Sequence, residues 1–406
     1  MKYNFDEVVD RKGTYSCKLD QMPEGAPSDA LSVWVADMDF ETAPEIHEAI
    51  RKRAEHGVFG YTIIPEEWYD SIREWWKKRH HFHLKKEWLI FCTGVVPAIS
   101  TAVRKLTSVA EKIVLLTPVY NILFNSIVNN GRNVVECPLT YDGESYGVDF
   151  EKLERVIADP QTTMLIFCNP HNPVGKIWEK ETMERIGALC WKHHVVVISD
   201  EIHCELTDPG KEYIPFASVS EECKKNSITC IAPTKAFNLA GIQTAAVMVP
   251  DPYLRHQMGR ALNTDEVAEP NVFAMTAAIA AYREGGPWLD GLRAYLYENK
   301  QTAKAFLEQE LPDIHLVESE ATYLLWLDCR ELVEDTEELE QVLCKETGLY
   351  LSNGGQYGES GKSFLRMNIA CAHTVLEDGL ERLKTGVQAW KDCRADGRNP
   401  EPYLGM

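Results

Sequence analysis

The sequence predicts an α/β fold, with a large domain on a mainly parallel sheet and a smaller α+β domain after it. Two observations predict the sheet. Short apolar runs rich in β-branched residues recur along the chain, each ending at a proline or a polar residue. Stretches with apolar residues at helical spacing lie between them, the rhythm of strands joined by crossover helices. A third observation predicts the second domain: past residue 285 a long helical stretch is followed by more widely spaced strands.

Residues 89–92 (LIFC) form a short apolar stretch ahead of a helix over 97–106, whose proline suits a first turn. Strands are predicted at 113–117 (IVLLT), 164–168 (MLIFC), 195–199 (VVVIS), 227–232 (SITCIA) and 245–249 (AAVMV). They are too short for free-standing helices and too apolar for exposed loops. The segment 180–192 (KETMERIGALCWK) reads as a helix between two of them. Beyond it come a helix over 288–307, strands at 321–327, 349–351 and 364–368, and helices over 337–347 and 374–390. The domains expected are therefore 46–287 and 288–406, with residues 1–45 packing on the smaller domain or on a partner subunit.

Composition narrows the function. The chain has 406 residues and a formal charge of −20. Phosphate backbones select basic surfaces, so nucleic acid is not expected as a partner. No run of ~18 apolar residues occurs, so no membrane span is expected. The first residues, MKYNFDEVVDRKG, lack the apolar core of a signal peptide. Twelve cysteines are scattered without a CxxC pair, which points to reduced thiols and a cytoplasmic location.

In open α/β sheets, ligands sit beyond the carboxyl ends of the strands. Several chemistry-bearing residues stand at those positions. Lys235, in APTKAFNLAG, lies just past a strand; a partly desolvated lysine can act as nucleophile and base. Asp200 ends a strand in SDEIH, where a carboxylate could keep a ring nitrogen cationic or simply cap a helix. Asn172 lies in CNPHNPVG, whose Asn-Pro pairs enforce turns. Gly94, Val95 and Val96 open a helix in TGVVPA and offer backbone amides to a phosphate. Tyr120, in TPVY, could stack on a flat ring or belong to the core. Arg366, in FLRMN, sits in an apolar strand, suited to a carboxylate of a substrate or of an ion pair.

Each signal alone is ambiguous, but their order along the chain is specific. With HNPVG, SDEIH and TKAFNLAG in place, the sequence resembles the fold type I pyridoxal 5′-phosphate (PLP) enzymes, the aspartate aminotransferase superfamily. VADMDF at 35–40, FGYT at 59–62, SDEIHCEL at 199–206, YIPFAS at 213–218 and KAFNLAGIQ at 235–243 are similar to the cystathionine β-lyase (C–S lyase) group of MalY and PatB. The resemblance implies a PLP-binding large domain with a seven-stranded sheet. It implies a Schiff base on Lys235, Asp200 on the pyridinium nitrogen, Asn172 on the phenolic oxygen and Tyr120 on the ring face. Gly94, Val95, Val96 and Thr234 would hold the phosphate, and Arg366 the substrate α-carboxylate, beside Asn172 and Tyr120. Tyr61 would reach the cofactor of a neighbouring subunit, which implies a homodimer.

Two departures stand out. His203 takes the place where many aminotransferases carry a tyrosine, and joins the cofactor-binding candidates. Ala232 and Gln243 replace a serine and an arginine that commonly bind the phosphate. The implied activity is release of a thiol, pyruvate and ammonia from cystathionine or another S-substituted cysteine. Transamination, or a PLP-binding regulator acting through a protein partner, are the alternatives. The histidines of KKRHHFHLKK (His80, His81, His83) read as a solvated surface, and 352–361 (SNGGQYGESG) as a lid or a plain connection.

Overall fold

The structure, a computed structural model, describes residues 3–22 and 26–395. Seven strands make the main sheet: β1 (Leu89–Cys92), β2 (Lys112–Leu115), β3 (Asn133–Glu136), β4 (Thr162–Cys168), β5 (Val196–Asp200), β6 (Ser227–Ile231) and β7 (Ala245–Met248). Their spatial order is β1-β7-β6-β5-β4-β2-β3. Only β7 runs antiparallel to its neighbours. The expected mainly parallel seven-stranded sheet is therefore present.

Both faces of this sheet are covered, which is why its central strands read as unbroken apolar runs rather than alternating ones. Helices at Val95–Leu106, Ile122–Val128 and Pro252–Thr264 bury one face. Helices at Phe150–Ile157 and Lys180–Lys192 bury the other. Strand β3 is absent from the elements expected on sequence pattern. Its residues, NVVE, are partly exposed at the sheet edge, so no buried apolar run announces it.

A second, antiparallel sheet joins His315–Leu316, Leu324–Asp328, Phe364–Asn368 and Ser352–Asn353 in that order. Long helices at Gly286–Glu310 and His373–Ala395 pack beside it. The strand expected at 321–327 begins later, at Leu324. Thr322 has φ 72°, and the amides of Glu320 and Ala321 both bond to the Gly175 carbonyl. The chain there serves the 169–175 loop instead of the sheet.

The N-terminal residues lie on this second sheet region. Leu31–Ser32 pairs in parallel with Leu349–Tyr350. Phe5 places its ring 5.3 Å from Phe40, 5.6 Å from Trp288 and 5.4 Å from Tyr295. The segment 352–361 begins as the edge strand Ser352–Asn353 and continues as short turns, with Gly354, Tyr357 and Gly361 buried, and the Tyr357 carbonyl accepts the Val119 amide. It is a packed connection in this conformation.

Candidate active site

Parallel strands put their carboxyl ends on one edge of the sheet. Cys92 pairs with Ala245 and Ile231 with Ala246, so the ends of β1 and β6 are level despite the intervening antiparallel strand. Cys168 at the end of β4 pairs with Asp200 at the end of β5. The residues at and just past these strand ends therefore share one rim: Gly94–Val96, Asn169–Gly175, Asp200–His203 and Thr234–Lys235.

Lys235 is half-buried and donates to the Ala36 carbonyl at 2.5 Å. Burial, then the positive charge of Arg366, lower its amine to about 8, while Asp37 and Asp200 pull the other way. Asp200 is buried and accepts only a long bond from the Ile202 amide, 3.3 Å. Burial raises its carboxyl to about 6, with that amide and Lys235 opposing. Asp200 thus lacks a strong partner among the described residues, the state of a carboxylate that can receive a cationic group.

Arg366 is buried on the second sheet. Its Nη2 donates to the Trp34 carbonyl at 2.8 Å, and Nη1 lies 3.5 Å from Asn172 Oδ1. The guanidinium carbon lies 5.0 Å from the centre of the Tyr357 ring, and Nε has no partner. No carboxylate of the described residues pairs with it, so the ion-pair alternative is not realised. Tyr120 is half-buried, its amide bonded to the Asn172 carbonyl and its phenol raised to about 12, chiefly by burial. His203 is buried, its Nδ1 unpartnered and its basicity lowered to about 3 by burial and by the charges of Lys235 and Arg366. It is a neutral imidazole facing cations.

Gly94, Val95 and Val96 open the helix Val95–Leu106, which has no side-chain cap and no acidic residue in its first turn. That leaves amides and a positive dipole end on the rim. Thr234 is buried beside Lys235. The set offers an amine, an isolated carboxylate, an anion cradle and an aromatic face. That donor set fits a flat, cationic-ring, phosphorylated aldehyde. Tyr61 is not brought in: it is fully exposed, in a stretch with exposed Val58, Phe59 and Ile63. It faces a surface cavity lined also by Gly241, Ile242 and Gln243.

The model of aminotransferase class I and II matches residues 31–383. The chain belongs to the class I and II aminotransferase family. Among relatives in this family, "Cystathionine beta-lyase PatB" of Bacillus subtilis (strain 168) is 40% identical over 385 residues, 95% of this chain and 100% of that protein. "Protein MalY" of Escherichia coli (strain K12) is 32% identical over 394 residues, 95% and 99% of the two chains. The crystal structure of cystalysin from Treponema denticola, which contains a PLP cofactor, is similar with a TM-score of 0.93 and 33% identity, covering 96% of this chain and 100% of that one.

Several residues at this aminotransferase-family site are not among those the sequence pattern singles out. Tyr323 donates to the same Ala36 carbonyl at 2.9 Å. Asn238 holds the carbonyls of Met38 and Phe40, and Asn368 those of Val35 and Asp37. The VADMDF and TKAFNLAG motifs contain the signal, but the pairing of one with the other is tertiary. One expectation is corrected. His81 and His83 are exposed, but His80 is not part of a solvated surface. Its Nε2 lies 2.7 Å from Glu205 Oε1, which also accepts from Trp75 Nε1 at 2.6 Å. Glu205 comes from the SDEIHCEL turn, far away in sequence, so local charge could not reveal the pair.

Proposed function

We propose that the protein is a PLP-dependent carbon–sulfur lyase that cleaves cystathionine and related S-substituted cysteines to a thiol, pyruvate and ammonia. The observation that carries the reading is the meeting of Lys235 and Asp200, on one edge of the main sheet, with Arg366 of the second sheet, which is buried and unpaired to any carboxylate of the described residues. The kinship to PatB and MalY supports the choice of carbon–sulfur chemistry.

PLP, when bound, supplies an electron sink for charge developing at the substrate Cα. Lys235 would hold it through the ε-amine and Asp200 would pair with its ring nitrogen. Asn172 would meet the phenolic oxygen, Tyr120 the ring face, and His203 would lie beside them as a neutral group. The amides of Gly94, Val95 and Val96, with Thr234, would take the phosphate. The remaining work belongs to the chain. Arg366 binds the substrate carboxylate with its planar fork, fixing which Cα bond faces Lys235. An amine lowered to about 8 is partly neutral near neutral pH, so Lys235 can take the Cα proton and return one to the departing group.

The functional unit in this reading is a homodimer in which Tyr61 serves the neighbouring subunit's site. Its full exposure, together with the exposed apolar side chains of Val58, Phe59 and Ile63, supports this. A cytoplasmic setting belongs to the same reading, supported by twelve free thiols, most of them buried. No helix of the described residues is long and apolar enough to cross a membrane.

The test is pyruvate release from L-cystathionine with no 2-oxo acid added. Release by wild type, and its loss in Lys235→Ala, is expected. Turnover that requires an added 2-oxo acid would replace the lyase reading with transamination.

A further inference from the structure

Residues 34–40 cross the site as an irregular strap, bent at 35–37 and 39–40, outside both large sheets. Its carbonyls are taken by side chains from both sides. Lys235 and Asn238 come from the main sheet's rim, and Tyr323, Arg366 and Asn368 from the second sheet. The Ala36 and Trp34 carbonyls thus set where the Lys235 amine and the Arg366 fork point.

The strap is held from outside by charge. The bends of the strap turn Asp37 and Asp39 toward the same two cations. Arg11 Nη2 meets Asp37 Oδ2 at 2.6 Å, and its Nη1 meets Asp39 Oδ1 at 2.7 Å and the Met38 carbonyl at 3.1 Å. Lys18 Nζ meets Asp39 Oδ2 at 2.7 Å and Asp37 Oδ1 at 3.9 Å. Lys18 is 1% exposed, and the two aspartate side chains 20% and 22%. A buried lysine needs such partners to remain charged. Two cations and two carboxylates therefore close a partly desolvated clasp, and Asp37 is the chain neighbour of Ala36, whose carbonyl meets Lys235.

We infer that Arg11 and Lys18 are positioning residues for Lys235 and Arg366, acting through the 34–40 strap that they clamp at Asp37 and Asp39. The inference rests on the roles given above to Lys235 and Arg366. Neither cation touches the reacting atoms. Each holds a backbone segment whose carbonyls orient the groups that do.

The experiment compares holoenzyme of wild type, Arg11→Gln, Lys18→Met and Arg11→Lys by amide hydrogen exchange and by steady-state kinetics with L-cystathionine. The amides of Met38 and Asp39, bonded to Asn238 Oδ1 and the Ala370 carbonyl, report the strap. Those of Leu89–Cys92 and Val196–Asp200 report the sheet. In Arg11→Gln and Lys18→Met, strap exchange is expected to rise about tenfold while sheet exchange stays unchanged. The value of kcat/KM is expected to fall about tenfold, mostly through KM, because Arg366 loses its aim. Arg11→Lys, which keeps the charge but not the fork, recovers part of both. Unchanged strap exchange in the two loss-of-charge variants overturns the inference, as does a rise spread equally over the sheet, or a faster strap with KM and kcat as in wild type. If wild type releases no pyruvate, the lyase reading falls on its own, and exchange still decides the clasp.

Discussion

Arg366→Ala is the sharpest perturbation of this site. The side chain makes one bond to the Trp34 carbonyl at 2.8 Å and a long one to Asn172 at 3.5 Å. A substrate carboxylate would gain two charge-assisted hydrogen bonds from the fork, about 1.5–3 kcal/mol each. The Trp34 bond stays and orients the fork, while loss of the long bond to Asn172 takes back about 1 kcal/mol. The net contribution is about 2–5 kcal/mol. At about 1.36 kcal/mol per decade, Arg366→Ala should lower kcat/KM for L-cystathionine by about 30-fold to several thousand-fold. The loss should appear first in KM, because the carboxylate is bound in both ground and transition states. Arg366→Lys, a point charge without the fork, should fall between. The assay is coupled pyruvate detection over a substrate series. A folded Arg366→Ala variant with KM within about threefold of wild type would refute the carboxylate assignment, and a loss confined to kcat would move Arg366 into the chemistry itself.

The buried Asp200 should leave a pH signature in the cofactor-free protein. Its folded value of about 6 exceeds the ordinary 3.8, so the folded state binds this proton more tightly and stability declines as pH rises between those values, by about 3 kcal/mol. Asp200→Asn lacks that decline, so its stability relative to wild type in denaturant titrations should grow by about 2.4 kcal/mol from pH ~4 to pH ~7; a constant difference would contradict it. Gly175 has φ +69°, and a Cβ there would lie 2.6 Å from Ser319 Cβ and 2.7 Å from the Ala321 carbonyl. Gly175→Ala should therefore cost at least about 2 kcal/mol, read as a lowered Tm, and a Tm equal to wild type would show that the 169–175 loop is not the tight junction described. Mixing Lys235→Ala and Tyr61→Ala subunits, each nearly inactive alone, should restore about a quarter of wild-type activity if Tyr61 serves the neighbouring site. No restoration after verified subunit exchange would place Tyr61 outside it.

Much of the fold is legible in the amino-acid pattern. Strands buried on both faces carry their own apolar label, and the helices at 180–192 and 337–347 begin and end where the pattern of apolar spacing does. Lys235, Asp200, Asn172 and Arg366 are visible because polar residues at the ends of apolar strands, or within one, stand out against their surroundings. Edge strand β3 is invisible because half-exposed residues carry no such contrast. His80 misleads because its partner, Glu205, lies 125 positions away.

The sequence by itself determined most of the buried strands, their order and the chemistry of the residues that end them, since these depend on local periodicity and on side-chain type. Only the tertiary structure decided which of those residues meet. Trp34 and Arg366 are 332 positions apart, and Ala36 and Lys235 199, yet each pair shares a hydrogen bond. The environment that moves Asp200 up and Lys235 down is likewise a product of packing, because desolvation depends on everything that surrounds a group and not on its neighbours in the chain.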